Sequence, residues 1–67
     1  MRIFINAVPE EVEDMTKLSE LLKKKSYDGK KSIVVILNDN LVEKEKYEEI
    51  LLKQDDKIEL FSFVQGG

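Results

Sequence analysis

Ser32-Ile33-Val34-Val35-Ile36-Leu37, residues 32–37, is the stretch on which the fold turns. Its side chains from Ile33 to Ile36 are all β-branched, a type that packs well on a pleated surface and loses rotamer freedom in a helix. Tyr27-Asp28-Gly29 precedes it and the turn-forming Asn38-Asp39-Asn40 follows, so the run reads as a strand bounded on both sides. The five residues from Ile33 to Leu37 form the longest unbroken apolar run of the chain. A bilayer span needs roughly 20.

Upstream, the pattern changes twice. Arg2-Ile3-Phe4-Ile5-Asn6 is rich in strand formers, and Ala7-Val8-Pro9-Glu10 is expected to turn the chain, with a return strand through Glu11-Val12-Glu13 completing a hairpin. Leu18, Leu21 and Leu22 then fall at helical spacing, with no glycine or proline before Gly29. This spacing predicts one helix over Lys17 to Lys25, with Thr16 as its N-cap. Lys23, Lys24 and Lys25 would sit in its last turn, opposing the negative end of the helix dipole; the run reads as a helix end before it reads as an anion site.

Downstream of the central run, Leu41-Val42 makes a brief strand, and Glu43 to Glu49 a charged helical turn that keeps Tyr47, Ile50 and Leu51 on one apolar edge. Gln54-Asp55-Asp56 forms another turn. Lys57 to Val64 is the last strand, with Ile58 and Leu60 on one face and Glu59, Phe61 and Phe63 on the other. Asn38-Asp39-Asn40 carries oxygen ligands but lacks the glycine and distal glutamate spacing of a calcium loop, so it is read as a turn and no metal site is expected. Asp55 and Asp56 could serve acid/base chemistry only beside a pocket, and a plain turn is the simpler reading.

Composition narrows function sharply. There is no cysteine and no histidine in the 67 residues, which removes disulfides, thiolate nucleophiles, zinc sites of the usual kind and protease-type triads. A net charge of -3 is the wrong sign for gripping a phosphate backbone, so no nucleic-acid partner is expected. No membrane partner is expected either, since Met1-Arg2-Ile3-Phe4-Ile5-Asn6 does not open a secretory leader; a cytoplasmic location follows as the default. At this length folding buries only about 60% of the unfolded chain's surface, which leaves little room for an enclosed cleft.

The order strand, strand, helix, strand, short strand, helical turn, strand is most economically arranged as one mixed sheet covered on one face by one helix, an α+β fold in a single domain over residues 1–67. In this order the chain resembles the ThiS family of sulfur carriers, which has the ubiquitin-like β-grasp fold. The resemblance is carried by Arg2-Ile3-Phe4-Ile5-Asn6, by Thr16-Lys17-Leu18-Ser19-Glu20-Leu21-Leu22, and by Val35-Ile36-Leu37-Asn38. It continues in Leu41-Val42, in Tyr47 where the family usually has tryptophan, in Asp56, and in the terminal Gly66-Gly67. Two departures stand out. Glu43-Lys44 replaces a usual proline and basic residue, and Gln54-Asp55-Asp56 replaces an aspartate-glycine-aspartate turn, where aspartate is among the few residues that tolerate a left-handed backbone.

The resemblance implies four to five strands on one helix and a flexible Gly-Gly tail. It also implies that the protein is a co-substrate and not an enzyme. The carboxylate of Gly67, beside Gly66, is expected to be activated by a ubiquitin-activating-type adenylating enzyme (ThiF-like) that consumes ATP, no cofactor being held by the carrier itself. Sulfur from a donor such as a cysteine desulfurase would convert it to a thiocarboxylate, used by a thiazole synthase (ThiG-like) in thiamin biosynthesis. With Gly67 last in the chain, no processing step is expected. The same resemblance leaves open the small subunit of molybdopterin synthase, or carriers feeding amino-acid synthesis or a tungsten cofactor. A ubiquitin-like modifier or a plain binding module are the readings of another class.

Physical chemistry favours such a tail. Glycines adopt backbone angles closed to other residues and thread narrow channels. Strand alternation points Ile3, Ile5, Val35, Leu37, Ile58 and Leu60 at the helix and sends Phe4, Val34, Ile36, Phe61 and Phe63 to the open face. With Val64 and Gln65, these five are the expected partner-binding residues, since exposed apolar patches mark interfaces. The rival expectations are that Ile33 to Leu37 is buried on both faces in a homodimer, or that a bulge returns one phenylalanine to the core.

Overall fold

The computed structural model describes residues 1–25 and 32–63. It contains β1 (Arg2–Ile5), β2 (Val8–Glu11), α1 (Leu18–Lys24), β3 (Ser32–Leu37), β4 (Asn40–Val42), a 3-10 turn (Lys44–Lys46) and β5 (Lys57–Phe63), the expected element order. The five strands form one sheet in the order β2-β1-β5-β3-β4. Only the β1·β5 pair is parallel, which makes the sheet mixed. The expected break at Tyr27-Asp28-Gly29 and the strand residue Val64 lie outside the described residues.

Helix α1 closes one face of this sheet. Leu18, Leu21 and Leu22 are buried against Ile3 of β1, Val35 of β3, Val42 of β4, and Ile58 and Leu60 of β5, with Leu52 completing the cluster. Ile5, Ile33, Leu37, Tyr47 and Ile50 pack around it. Leu52 takes the core position expected of Leu51, which is exposed. The cause is a change of period: Leu51 forms an extended bridge to Lys17, and the next side chain in an extended backbone points the opposite way.

The hairpin differs from expectation in its turn. Asn6 and Ala7 make a two-residue turn, both with positive φ (49° and 69°), and β2 begins at Val8. This backbone twist matches that of the strands it joins. Pro9 therefore stands inside β2 opposite Phe4, on an edge strand, where its missing N–H removes no ladder bond from the sheet interior. The β3–β4 turn is also two residues, Asn38 and Asp39 (φ 48° and 70°), so Asn40 belongs to β4 and not to the turn. Asp55 takes φ 67°, the left-handed geometry that aspartate was expected to tolerate there.

Thr16 does not cap the helix. Lys17 occupies the N-cap position with extended angles, while the Thr16 hydroxyl donates to the Glu13 carbonyl at 2.7 Å. Backbone acceptors from a distant segment replace the side-chain cap: Leu18 N–H donates to Ile50 O at 2.9 Å and Ser19 N–H to Tyr47 O at 3.0 Å. Glu20 reaches back to accept the Lys17 N–H at 3.0 Å. At the other end Lys23 and Lys24 lie in the last turn, and Lys25 pairs with Glu10 of β2.

Asp56 joins the two turns that flank β5. Its Oδ1 accepts from Asn38 Nδ2 at 2.9 Å and its Oδ2 from the Lys53 N–H at 2.8 Å. Removing a buried acceptor leaves both donors unsatisfied. We expect Asp56→Ala to cost about 1–3 kcal/mol in urea unfolding, with an unchanged dependence on denaturant; a change within experimental error would show that this clasp is incidental. A second expectation concerns Tyr47, whose phenol is pushed above its ordinary value of 10.0 by burial and secondarily by Glu45. The folded state then holds that proton more tightly than the unfolded state. Its contribution to stability is complete below about pH 10 and is lost as pH rises through the folded-state value. Absorbance titration of a Tyr27→Phe variant, in which Tyr47 is the remaining tyrosine, should place its midpoint above 10.

Candidate functional site

The site is built around β5, the middle strand, which runs directly into the last residues of the chain. Both flanks pin it by mixed backbone and side-chain bonds. On one side Asn38 stands in for a strand residue: its N–H donates to Lys57 O at 2.8 Å, and its Oδ1 accepts the Lys57 N–H at 2.9 Å. On the other, Asn6 extends the β1 ladder with its amide, Oδ1 accepting from Leu60 N–H at 2.9 Å and Nδ2 donating to Leu60 O at 3.3 Å. The register of β5 is thus set by two asparagines, and a slip of one residue would invert its faces.

That register puts Val34 opposite Phe61, Ser32 opposite Phe63 and Ile36 opposite Glu59, in an unbroken series from Ser32↔Phe63 to Leu37↔Ile58. No bulge interrupts it, so neither phenylalanine returns to the core. Phe61 and Phe63 are 47% and 55% exposed on the face away from α1, while Val34 and Ile36 beside them are half-buried. Phe4 is also half-buried, with the Arg2 guanidinium 5.2 Å from its ring centroid. Arg2 is held there by Asp55, whose Oδ1 accepts from Nη2 at 2.9 Å and Nε at 3.0 Å. The structure therefore gathers the five named residues onto one face, with Phe4 partly roofed and the two later phenylalanines bare. Val64, Gln65, Gly66 and Gly67 lie outside the described residues.

Leu41 is the apolar residue that sequence reasoning missed. It pairs with Ile36 across the β3–β4 hairpin and is 69% exposed, extending the patch to the sheet edge. A three-residue turn at 38–40 left its facing unassigned; a two-residue turn, signalled by the left-handed preference of Asn and Asp, would have placed it. The acids Asp55 and Asp56 both have structural partners, an arginine and the Asn38–Lys53 clasp. Among the described residues no cluster of three or more His, Cys, Asp or Glu side chains is arranged to hold a metal, and no helix is long and apolar enough to cross a membrane. What the arrangement offers, among the described residues, is an exposed apolar patch on the face of the sheet away from α1.

Comparison with known proteins agrees with this architecture. The model of the ThiS family matches residues 3–67. The crystal structure of the thiamine biosynthesis protein ThiS from Geobacter metallireducens superposes with a TM-score of 0.83 at 26% identity, over 100% of both chains. A solution structure of a thiamine biosynthesis protein from the same organism gives 0.79 at 26% identity, over 100% of this chain and 88% of that one. No curated protein matches.

Facing can be tested on adjacent residues of β5. Phe61→Asp should cost no more than about 1 kcal/mol, the span of strand propensities at exposed positions. Leu60→Asp would bury a carboxylate in the core and should prevent folding, as read by circular dichroism and thermal melting. Equal effects at both positions would mean the assigned faces are wrong.

Proposed function

The chain belongs to the ThiS family, and from that premise we propose that it is a sulfur carrier of thiamin biosynthesis, working through the carboxylate of Gly67. The observation that carries this reading is the family match itself, which extends to residue 67 and so includes the Gly66-Gly67 end. The absence of cysteine and histidine fits a protein acted on by others.

A carboxylate is a poor electrophile because its leaving group is an oxide. In the proposed sequence a Gly67 carboxylate oxygen attacks the α-phosphate of ATP on an adenylating enzyme, and pyrophosphate departs. Sulfur carried as a persulfide by a donor such as a cysteine desulfurase then attacks the activated carbonyl and AMP leaves; a thiol attacks the donor-side sulfur of the resulting acyl disulfide, and the thiocarboxylate departs as a new disulfide forms. A thiazole synthase receives that sulfur. The carrier's own part is positional. Phe61, Phe63, Val34, Ile36 and Leu41 dock it on the partner, and the four residues after Phe63 reach at most about 14 Å into the active site. Terminal glycines suit such a channel because no Cβ obstructs it.

The deciding experiment is intact-mass and fragmentation analysis after incubation with ATP, the host's adenylating enzyme and a sulfur donor. Fragmentation is required because oxidation of Met1 or the exposed Met15 nearly matches the mass change of replacing oxygen by sulfur. We expect sulfur localised to Gly67. An unmodified Gly67, with enzyme active on its own carrier, would overturn the proposal.

A further inference from the structure

β5 loses its β1 neighbour partway along. The last strand pair on that flank is Ile5↔Ile58, and Asn6 N–H still donates to Ile58 O at 2.8 Å. A ladder continued regularly would offer the strand beyond Ile5 the next groups that face it, Leu60 N–H and C=O. That main chain is already turning at Asn6-Ala7, with φ 49° and 69°. The Asn6 side chain takes its place: Oδ1 accepts from Leu60 N–H at 2.9 Å and Nδ2 donates to Leu60 O at 3.3 Å. Among the described residues these are the last bonds that β5 receives from the β1 flank, and Phe61 beyond them is held by its pairing with Val34 of β3.

The turn by itself does not ask for asparagine. Glycine suits a positive φ better and aspartate tolerates it, but neither side chain offers an acceptor and a donor together. The amide therefore answers a demand of β5. That demand arises next to the open face, since Leu60 is buried in the core and Phe61 points the opposite way. We propose that Asn6 is a positioning residue of the carrier: by holding both main-chain groups of Leu60, it fixes the place of Phe61 beside Val34 and Ile36 on the face that docks. This rests on the function proposed above. Without the amide, the point at which β5 is held from both sides retreats to Ile58. The partner must then order Phe61 as it binds, which weakens association and leaves the chemistry at Gly67 untouched.

The test compares Asn6→Gly with Asp56→Ala in the full chain. Glycine keeps the turn and removes the amide; Asp56→Ala loosens the clasp at Asn38 and Lys53 and serves as a destabilised control. Steady-state adenylation by the host's enzyme, at a temperature where both variants are folded by circular dichroism, gives kcat and the KM for the carrier. Urea unfolding gives the stability of each. Both variants should lower the unfolding midpoint. Asn6→Gly should raise KM by about ten-fold with kcat unchanged, the mark of lost binding, whereas Asp56→Ala should leave KM within about two-fold of the parent. Should Asn6→Gly not fold, Asn6→Asp, which keeps the acceptor and loses the donor, is read in the same way. An unchanged KM at position 6, or a KM that rises with lost stability alike in both variants, would overturn the positioning role and leave the carrier function standing. A parent protein that is not adenylated by an enzyme active on its own carrier would overturn both.

Discussion

A helix of seven residues can bury one face of a five-stranded sheet and no more. Most other features of the molecule answer to that constraint. The covered face collects the fully buried side chains Ile3, Val35 and Ile58 beneath Leu18 and Leu21, and the alternation of the same strands delivers their neighbours to the other side. An apolar strand such as β3, with a second layer on one side only, must either expose its other face or share it. The open phenylalanines are thus a consequence of the architecture as well as the basis of the proposed docking surface.

Polar side chains finish what the short strands cannot. Asn6 and Asn38 sit at left-handed turn positions that few residues tolerate, and their amides then substitute for backbone groups on opposite flanks of β5. Asp56 ties the Asn38 turn to the turn at Lys53, and Arg2 links Asp55 to the start of β1. These contacts converge on the strand that carries the chain end. In a domain with so small a core, register held by hydrogen bonds at both sides of the central strand gives the open face a single arrangement.

Much of this was legible beforehand because it depended on local pattern. Period two in Lys57–Phe63 and the β-branched run at 32–37 identified two strands, and period 3.6 in Leu18, Leu21 and Leu22 identified the helix. Two of the differences, at Thr16 and Leu51, share a cause in a remote partner. Thr16 lost its expected role because the helix N–H groups found carbonyls at Tyr47 and Ile50. Leu51 yielded to Leu52 because a bridge to Lys17 set the local backbone as extended. Pro9 looked like a turn residue, yet two residues of positive φ turned the chain earlier and left it on an edge.

The sequence by itself determined the element order, the sidedness of β5, the absence of cysteine and histidine chemistry, and the glycine end with its family resemblance, since each is a property of nearby residues or of inventory. Tertiary structure decided which strands are neighbours, and hence that β5 is central, that Leu41 joins the patch, that Arg2 roofs Phe4, and that the Asn6 amide meets Leu60. Those outcomes depend on pairing between segments far apart in the chain, where the energy of contact depends on what each segment meets and not on what either one prefers alone.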